Sequence, residues 1–95
     1  MLPSLAIAQY DAALVHLLAS NPERALELLD NGDALYDGLG YPDLRAQSLF
    51  LRGRAYQITG ECDAARDALE ESLKLSPKGR FAGNAQRLLE GLTCQ

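Results

Sequence analysis

The chain reads as an all-α protein of about five helices, and three observations carry that reading. Apolar residues recur at spacings of three and four along nearly the whole sequence, the period of an amphipathic helix. No stretch sustains the apolar–polar alternation of a half-buried strand, and Val, Ile and Thr are scarce. Each break in the helical pattern carries proline, glycine or both: "SNPE" at 20–23, "GLGYPD" at 38–43, "TGECD" at 59–63 and "SPKG" at 76–79.

The first helix is expected over about 4–19. Leu5, Ala8, Ala12 and Val15 mark one face, and Ile7, Tyr10, Leu14, Leu17 and Leu18 mark others. A helix apolar nearly all round should be buried or covered. Asn21 is a suitable N-cap, Pro22 suits the first helical position, and Ser20 with Glu23 resembles a capping box. The second helix then covers about 22–38 with Ala25, Leu28, Leu29, Leu35 and Tyr36, weakened in its middle by Gly32. Gly38 or Gly40 can close it, and Pro42 cannot continue it. The third helix is expected over about 43–59, with Leu49, Gly53 and Tyr56 on one face. The chain turns at Gly60. A fourth helix covers about 62–75 with Ala65, Ala68, Leu69, Ser72 and Leu73 inward, and a fifth covers about 80–93 with Phe81, Ala85, Leu88, Leu89 and Leu92. Turns of two to five residues imply antiparallel neighbours.

The 95 residues suggest a single domain, and a hydrophobic content of 47% is enough for a core. The formal charge of −4 argues against nucleic-acid binding, which needs a basic surface. Charge is unevenly spread. Residues 1–40 hold six acids and one base, and residues 41–95 hold seven acids and eight bases, with a basic cluster at Lys78 and Arg80. No run of about 18 apolar residues exists, so a membrane span is not expected. Residues 1–20 lack the basic start of a targeting segment. Two cysteines do not make a disulfide framework, and the expectation is a cytoplasmic protein.

An offset of forty residues lays Ala13 on Gly53, His16 on Tyr56, Ser20 on Gly60, Ala25 on Ala65 and Leu29 on Leu69. A period of 20–50 residues marks a solenoid, and a simple up–down bundle has no need of one. On this reading Gly53 leaves room where two helices of a hairpin cross, with Ala65 facing it and Tyr56 and Leu69 packing over the joint.

Residues 46–79 resemble the tetratricopeptide repeat family. Its motif of large apolar residue, small residue, aromatic, turn glycine, alanine, large apolar residue, small residue and proline is met by Leu49, Gly53, Tyr56, Gly60, Ala65, Leu69, Ser72 and Pro77. Arg52 departs from it, where the family prefers an apolar residue. The first unit matches more loosely through Ala13, His16, Ser20, Ala25, Leu29 and Gly32, with Gln9 departing and about six extra residues. Arg87 occupies the small-residue position of the fifth helix, which therefore resembles a capping helix. The resemblance implies antiparallel hairpins over about 4–39 and 43–76, stacked as a short TPR-like right-handed solenoid and closed by the helix at 80–93.

The resemblance also implies a concave inner surface. It would be lined by Ile7, Tyr10, Leu14 and Leu17, by Gln47, Phe50, Arg54 and Gln57, and by Phe81, Asn84 and Leu88. Of these, Tyr10, Leu14, Gln47, Phe50, Arg54, Gln57, Phe81 and Asn84 form the candidate partner-binding groove, unless some cover one another in the core. The Lys, Asn and Arg pattern by which some family members clamp a terminal carboxylate is not evident.

No catalytic, cofactor or metal constellation stands out. His16 is the only histidine and has no ligand-spaced Cys or carboxylate around it. Cys62 sits at a helix start, where a thiolate is favoured. Cys62 and Cys94 would share an edge if the fourth and fifth helices are antiparallel neighbours, but a cytosolic setting disfavours a bond between them. Glu23, Glu27, Asp30, Asp33 and Asp37 follow helical spacing and read as a solvated face, or else as a docking surface for a basic partner. The expected function is a non-enzymatic module that binds a protein or peptide partner. The alternatives are a self-assembling homo-oligomer, a fragment of a larger tetratricopeptide-containing regulator, and, last, a thiol switch at Cys62.

Overall fold

Pro22 and Pro42 each open a helix in the computed structural model, which describes residues 2–35 and 41–94. Among the described residues there are five helices and no strands: α1 (Leu2–Leu18), α2 (Pro22–Ala34), α3 (Pro42–Thr59), α4 (Cys62–Leu75) and α5 (Ala82–Gly91). The expected α5 is trimmed at both ends, because Arg80 and Phe81 lie in the turn before it. α2 ends at Ala34 with Leu35 as its C-cap, short of the expected end near residue 38, and Tyr36, Asp37, Gly38 and Gly40 lie outside the described residues.

The ends of α1 and α3 are built alike. Ser20 (φ 59°) and Gly60 (φ 83°) both take the left-handed conformation. The Asn21 amide donates to the His16 carbonyl and the Ser20 amide to that of Leu17; forty residues on, the Glu61 amide donates to Tyr56 and the Gly60 amide to Gln57. This is the hydrogen-bond pattern of a Schellman closure. Glycine meets its demand without strain and serine does not. The expected capping box is not formed. Asn21 makes no side-chain cap, and its amide instead lies 3.4 Å from His16 Nδ1.

Each helix packs on the next in the chain, and α1 also packs on α3. Contacts between α3 and α4 run in opposite directions along the two helices. Ser76 Oγ donates to Asp43, Ser72 Oγ donates to the Ala46 carbonyl at 2.7 Å, and Gly53 lies against Leu69. The pair is thus an antiparallel hairpin. A Cβ on Gly53 would stand 2.6 Å from Leu69 Cγ and 3.4 Å from the Ala65 carbonyl oxygen, so the glycine is indeed the point of close approach. Gly32 has the same task in the first hairpin, where a Cβ would stand 2.6 Å from the ring of Tyr10. It does not merely weaken α2.

The core follows the forty-residue offset. Ala6 and Ala46, Tyr10 and Phe50, Ala13 and Gly53, Ala25 and Ala65, Leu29 and Leu69, and Gly32 and Ser72 are all buried. Tyr10, Leu29 and Leu69 are its largest fully enclosed apolar side chains. The radius of gyration, 12.4 Å, is that of a well-packed domain of this length. No helix of the described residues is long and apolar enough to cross a membrane.

The two cysteines, which the sequence reading left apart, are joined. The Cys62–Cys94 disulfide spans Cα atoms 5.6 Å apart, and no free thiol remains among the described residues. The reason is topological: α5 returns along α4, so the chain leaving α5 meets the first residue of α4. The thiol-switch reading of Cys62 therefore lacks its thiolate. The expectation of a cytoplasmic setting loses one of its grounds, since disulfides persist in oxidising compartments.

Candidate functional site

The acidic run on α2 divides: Asp33 is drawn into the fold, whereas Glu23, Glu27 and Asp30 stay exposed to solvent. Asp33 accepts from Tyr10 Oη at 2.5 Å, from Arg52 at 2.7 Å and from Arg45 at 3.2 Å. Arg52 also reaches Asp30 at 2.7 Å, and Arg24 pairs with Glu27. Asp33 is thereby withdrawn from the acidic face, while Glu27 and Asp30 remain solvent-exposed beside the arginines they pair with. Asp37 lies outside the described residues. Arg52, the departure from the repeat motif, is a cross-helix tie where an apolar residue was expected.

Charge at this network is set by its neighbours. Burial alone would raise the pKa of Asp33, but hydrogen bonds from Tyr10 and Arg52, and the Arg52 charge, more than offset it and hold the carboxyl below its usual value of 3.8. Ser48 Oγ stands near enough to favour the carboxylate, yet is fully buried without a hydrogen bond of good geometry. Burial likewise disfavours the charge on Arg52, and Asp30 and Asp33 restore it.

A concave cavity of about 610 Å³ lies between α1, α3 and the start of α5. Of the eight candidate groove residues, Tyr10, Leu14, Gln47, Phe50, Arg54, Phe81 and Asn84 line it; Gln57 does not and is exposed elsewhere on α3. α1 supplies Tyr10 and Leu14 together with Ile7 and Asp11. α3 supplies Gln47, Phe50 and Arg54. The turn before α5 and its first turns supply Arg80, Phe81, Asn84, Arg87 and Leu88. A smaller hollow of about 270 Å³ extends it past Ile7, Gln47 and Phe81 toward Asp43 and Ser76.

The lining residues differ in what they offer. Tyr10 is fully enclosed and Phe50 is 5% exposed, so the two form a floor and present little surface. The Phe50 ring stacks on Phe81 with centroids 5.3 Å apart, fixing α5 against α3. Tyr10 and Phe50, both candidate groove residues, are thus covered in the core, which helix periodicity alone could not decide. The accessible apolar surface comes from Ile7, 40% exposed, with half-buried Leu14, Phe81 and Leu88. Arg54 is half-buried, and Arg80 and Arg87 are exposed.

Asp11, Arg80 and Arg87 were absent from the expected groove. Arg80 had a signal in the basic cluster beside Lys78, and Arg87 had one as a large charged residue at a small-residue position. Among the described residues, no group of His, Cys, Asp and Glu side chains is arranged to hold a metal ion. Comparison of the chain with protein-family models, with curated proteins and with solved structures finds no match.

Proposed function

We propose that the chain is a non-enzymatic interaction module, a short solenoid of tetratricopeptide type, whose groove between α1, α3 and α5 takes a peptide or helix of a protein partner. The observation that carries this reading is the cavity itself. It is concave, walled by three helices, floored by locked aromatic rings and edged by Ile7, Leu14, Phe81 and Leu88 with polar groups around them. Such apolar clefts with a few placed polar groups are where ligands and helices dock. The forty-residue recurrence of buried positions and of the two Schellman closures supports the solenoid.

The test follows from which residues line the cavity without carrying the core. Ile7→Glu and Asn84→Glu each place a charge in the groove and leave the buried set alone. Each is expected to abolish retention of partners by the immobilised protein, with Glu27→Lys, outside the groove, as a control. Retention unchanged in both groove variants would refute the groove.

One observation favours self-assembly as a second reading. The outer face of α1 leaves Leu5, Val15 and Leu18 at 54, 63 and 70% exposure. Forty residues on, Ala55, the counterpart of Val15, is buried, as is Ser48, the counterpart of the exposed Ala8. Light scattering on the wild type and on Val15→Glu/Leu18→Glu separates the readings: a wild-type monomer at high concentration removes self-assembly.

A further inference from the structure

The chain contains seven arginines, and the fold sorts them into two sets. Arg24, Arg45, Arg52 and Arg66 are paired with carboxylates of the domain itself. Among the described residues Arg54, Arg80 and Arg87 have no carboxylate partner, and all three line the groove. Among the described residues, Asp11 is the one acid lining the cavity, and Asp43 lines the smaller hollow beside it. In a chain of net charge −4, the arginines without an ion pair are thus gathered on one concave face. The Arg80 guanidinium lies 5.5 Å from the Phe81 ring centroid, which holds it over the apolar wall.

Guanidinium groups bind carboxylates through paired N–H donors, and cleft walls of low dielectric strengthen the attraction. We infer that the occupant of the groove is an acidic, apolar peptide segment, an inference that rests on the groove reading above. Large apolar side chains of the segment lie on Ile7, Leu14 and Leu88. Aspartate or glutamate side chains on either side of them pair with Arg54, Arg80 and Arg87. Arginines also attract phosphate, but Ile7, Leu14 and Leu88 present aliphatic surface suited to apolar side chains, and the enclosed Tyr10 and Phe50 rings offer no face for base stacking.

The experiment is selection of a displayed library of random twelve-residue peptides on the intact, disulfide-bonded protein and on Arg54→Glu/Arg80→Glu/Arg87→Glu, with folding of both checked by circular dichroism. The probes are the enriched peptides, labelled and titrated by fluorescence anisotropy beside a labelled oligothymidylate. Enriched peptides rich in Asp, Glu and large apolar residues, bound at least tenfold more weakly by the charge-reversed variant and more weakly as salt rises, are expected. Enrichment of peptides without acidic bias, bound equally by both proteins but lost in Ile7→Glu, overturns the inference and leaves the groove standing. No enrichment on either protein overturns both. Tighter binding of the oligonucleotide than of any peptide overturns the inference in favour of a nucleic-acid ligand.

Discussion

Replacing Gly53 by alanine sets two opposed effects against each other. In an isolated helix the change is favourable by about 1 kcal/mol. In this fold the new methyl carbon would stand 2.6 Å from Leu69 Cγ and 2.7 Å from Leu69 Cδ2. Ordinary carbon–carbon contact is at about 3.5–4.0 Å, so it is about 1 Å too close. Leu69 is fully enclosed and has no exposed rotamer to escape to. Overpacking of this kind costs about 1–3 kcal/mol, which leaves a net destabilisation of about 0–2 kcal/mol after the helical gain. For a domain of this size that lowers Tm by up to about 16 °C. The assay is thermal unfolding followed by far-ultraviolet circular dichroism with the disulfide intact. Gly83→Ala is the internal comparison. No atom lies within 4 Å of a Cβ there, so the helical gain should appear alone as a raised Tm. In Gly53→Ala/Leu69→Ala the methyl partly fills the space left by the leucine, and the two losses should fall short of additivity. A Gly53→Ala protein that gains stability as Gly83→Ala does, or losses that simply add, would refute close approach as the reason for the glycine.

Three other perturbations test other parts of the same account. Asp33→Asn removes the charge on which Tyr10, Arg45 and Arg52 converge and should cost about 2–3 kcal/mol in chemical denaturation. The folded pKa of Asp33 is depressed, so its stabilisation is complete above the ordinary value of 3.8 and is lost as pH falls through the lower folded value; Asp33→Asn should flatten acid unfolding in that window and leave the neutral-to-basic limb parallel to wild type. Reduction of Cys62–Cys94, or replacement of both by serine, reopens a 32-residue separation and should cost about 3–4 kcal/mol in the chain-entropy account, read as a lower denaturant midpoint. Ser20→Gly relieves a left-handed serine at the close of α1 and should raise stability by about 0.5–1 kcal/mol, whereas Gly60→Ser should lower it.

Sequence and structure agree closely where the information is local. Pro22 and Pro42 at helix starts, Gly60 at a helix end and the apolar spacing within each helix are properties of neighbouring residues. Gly53 was also legible, because a glycine inside a strong helical pattern needs a packing reason. The groove was legible in its membership, since residues three and four apart on α1 and α3 share a face. Its division into floor and wall was not. Tyr10 and Phe50 have the same spacing as their accessible neighbours, and only the packing of α2 and α5 against them decides that they are enclosed.

Helix positions, turn chemistry and the forty-residue recurrence were thus determined by the sequence alone, because each follows from dihedral preference and spacing within a few turns of chain. Three features were decided only by the tertiary structure. Arg52 became a tie to Asp30 and Asp33, Cys62 met Cys94, and three arginines were left unspent around one cavity. The physical reason is common to them. Ion pairing, disulfide formation and exposure depend on which faces of different helices meet, and residues 19, 22 or 32 positions apart in the chain come within bonding distance only once the helices have packed.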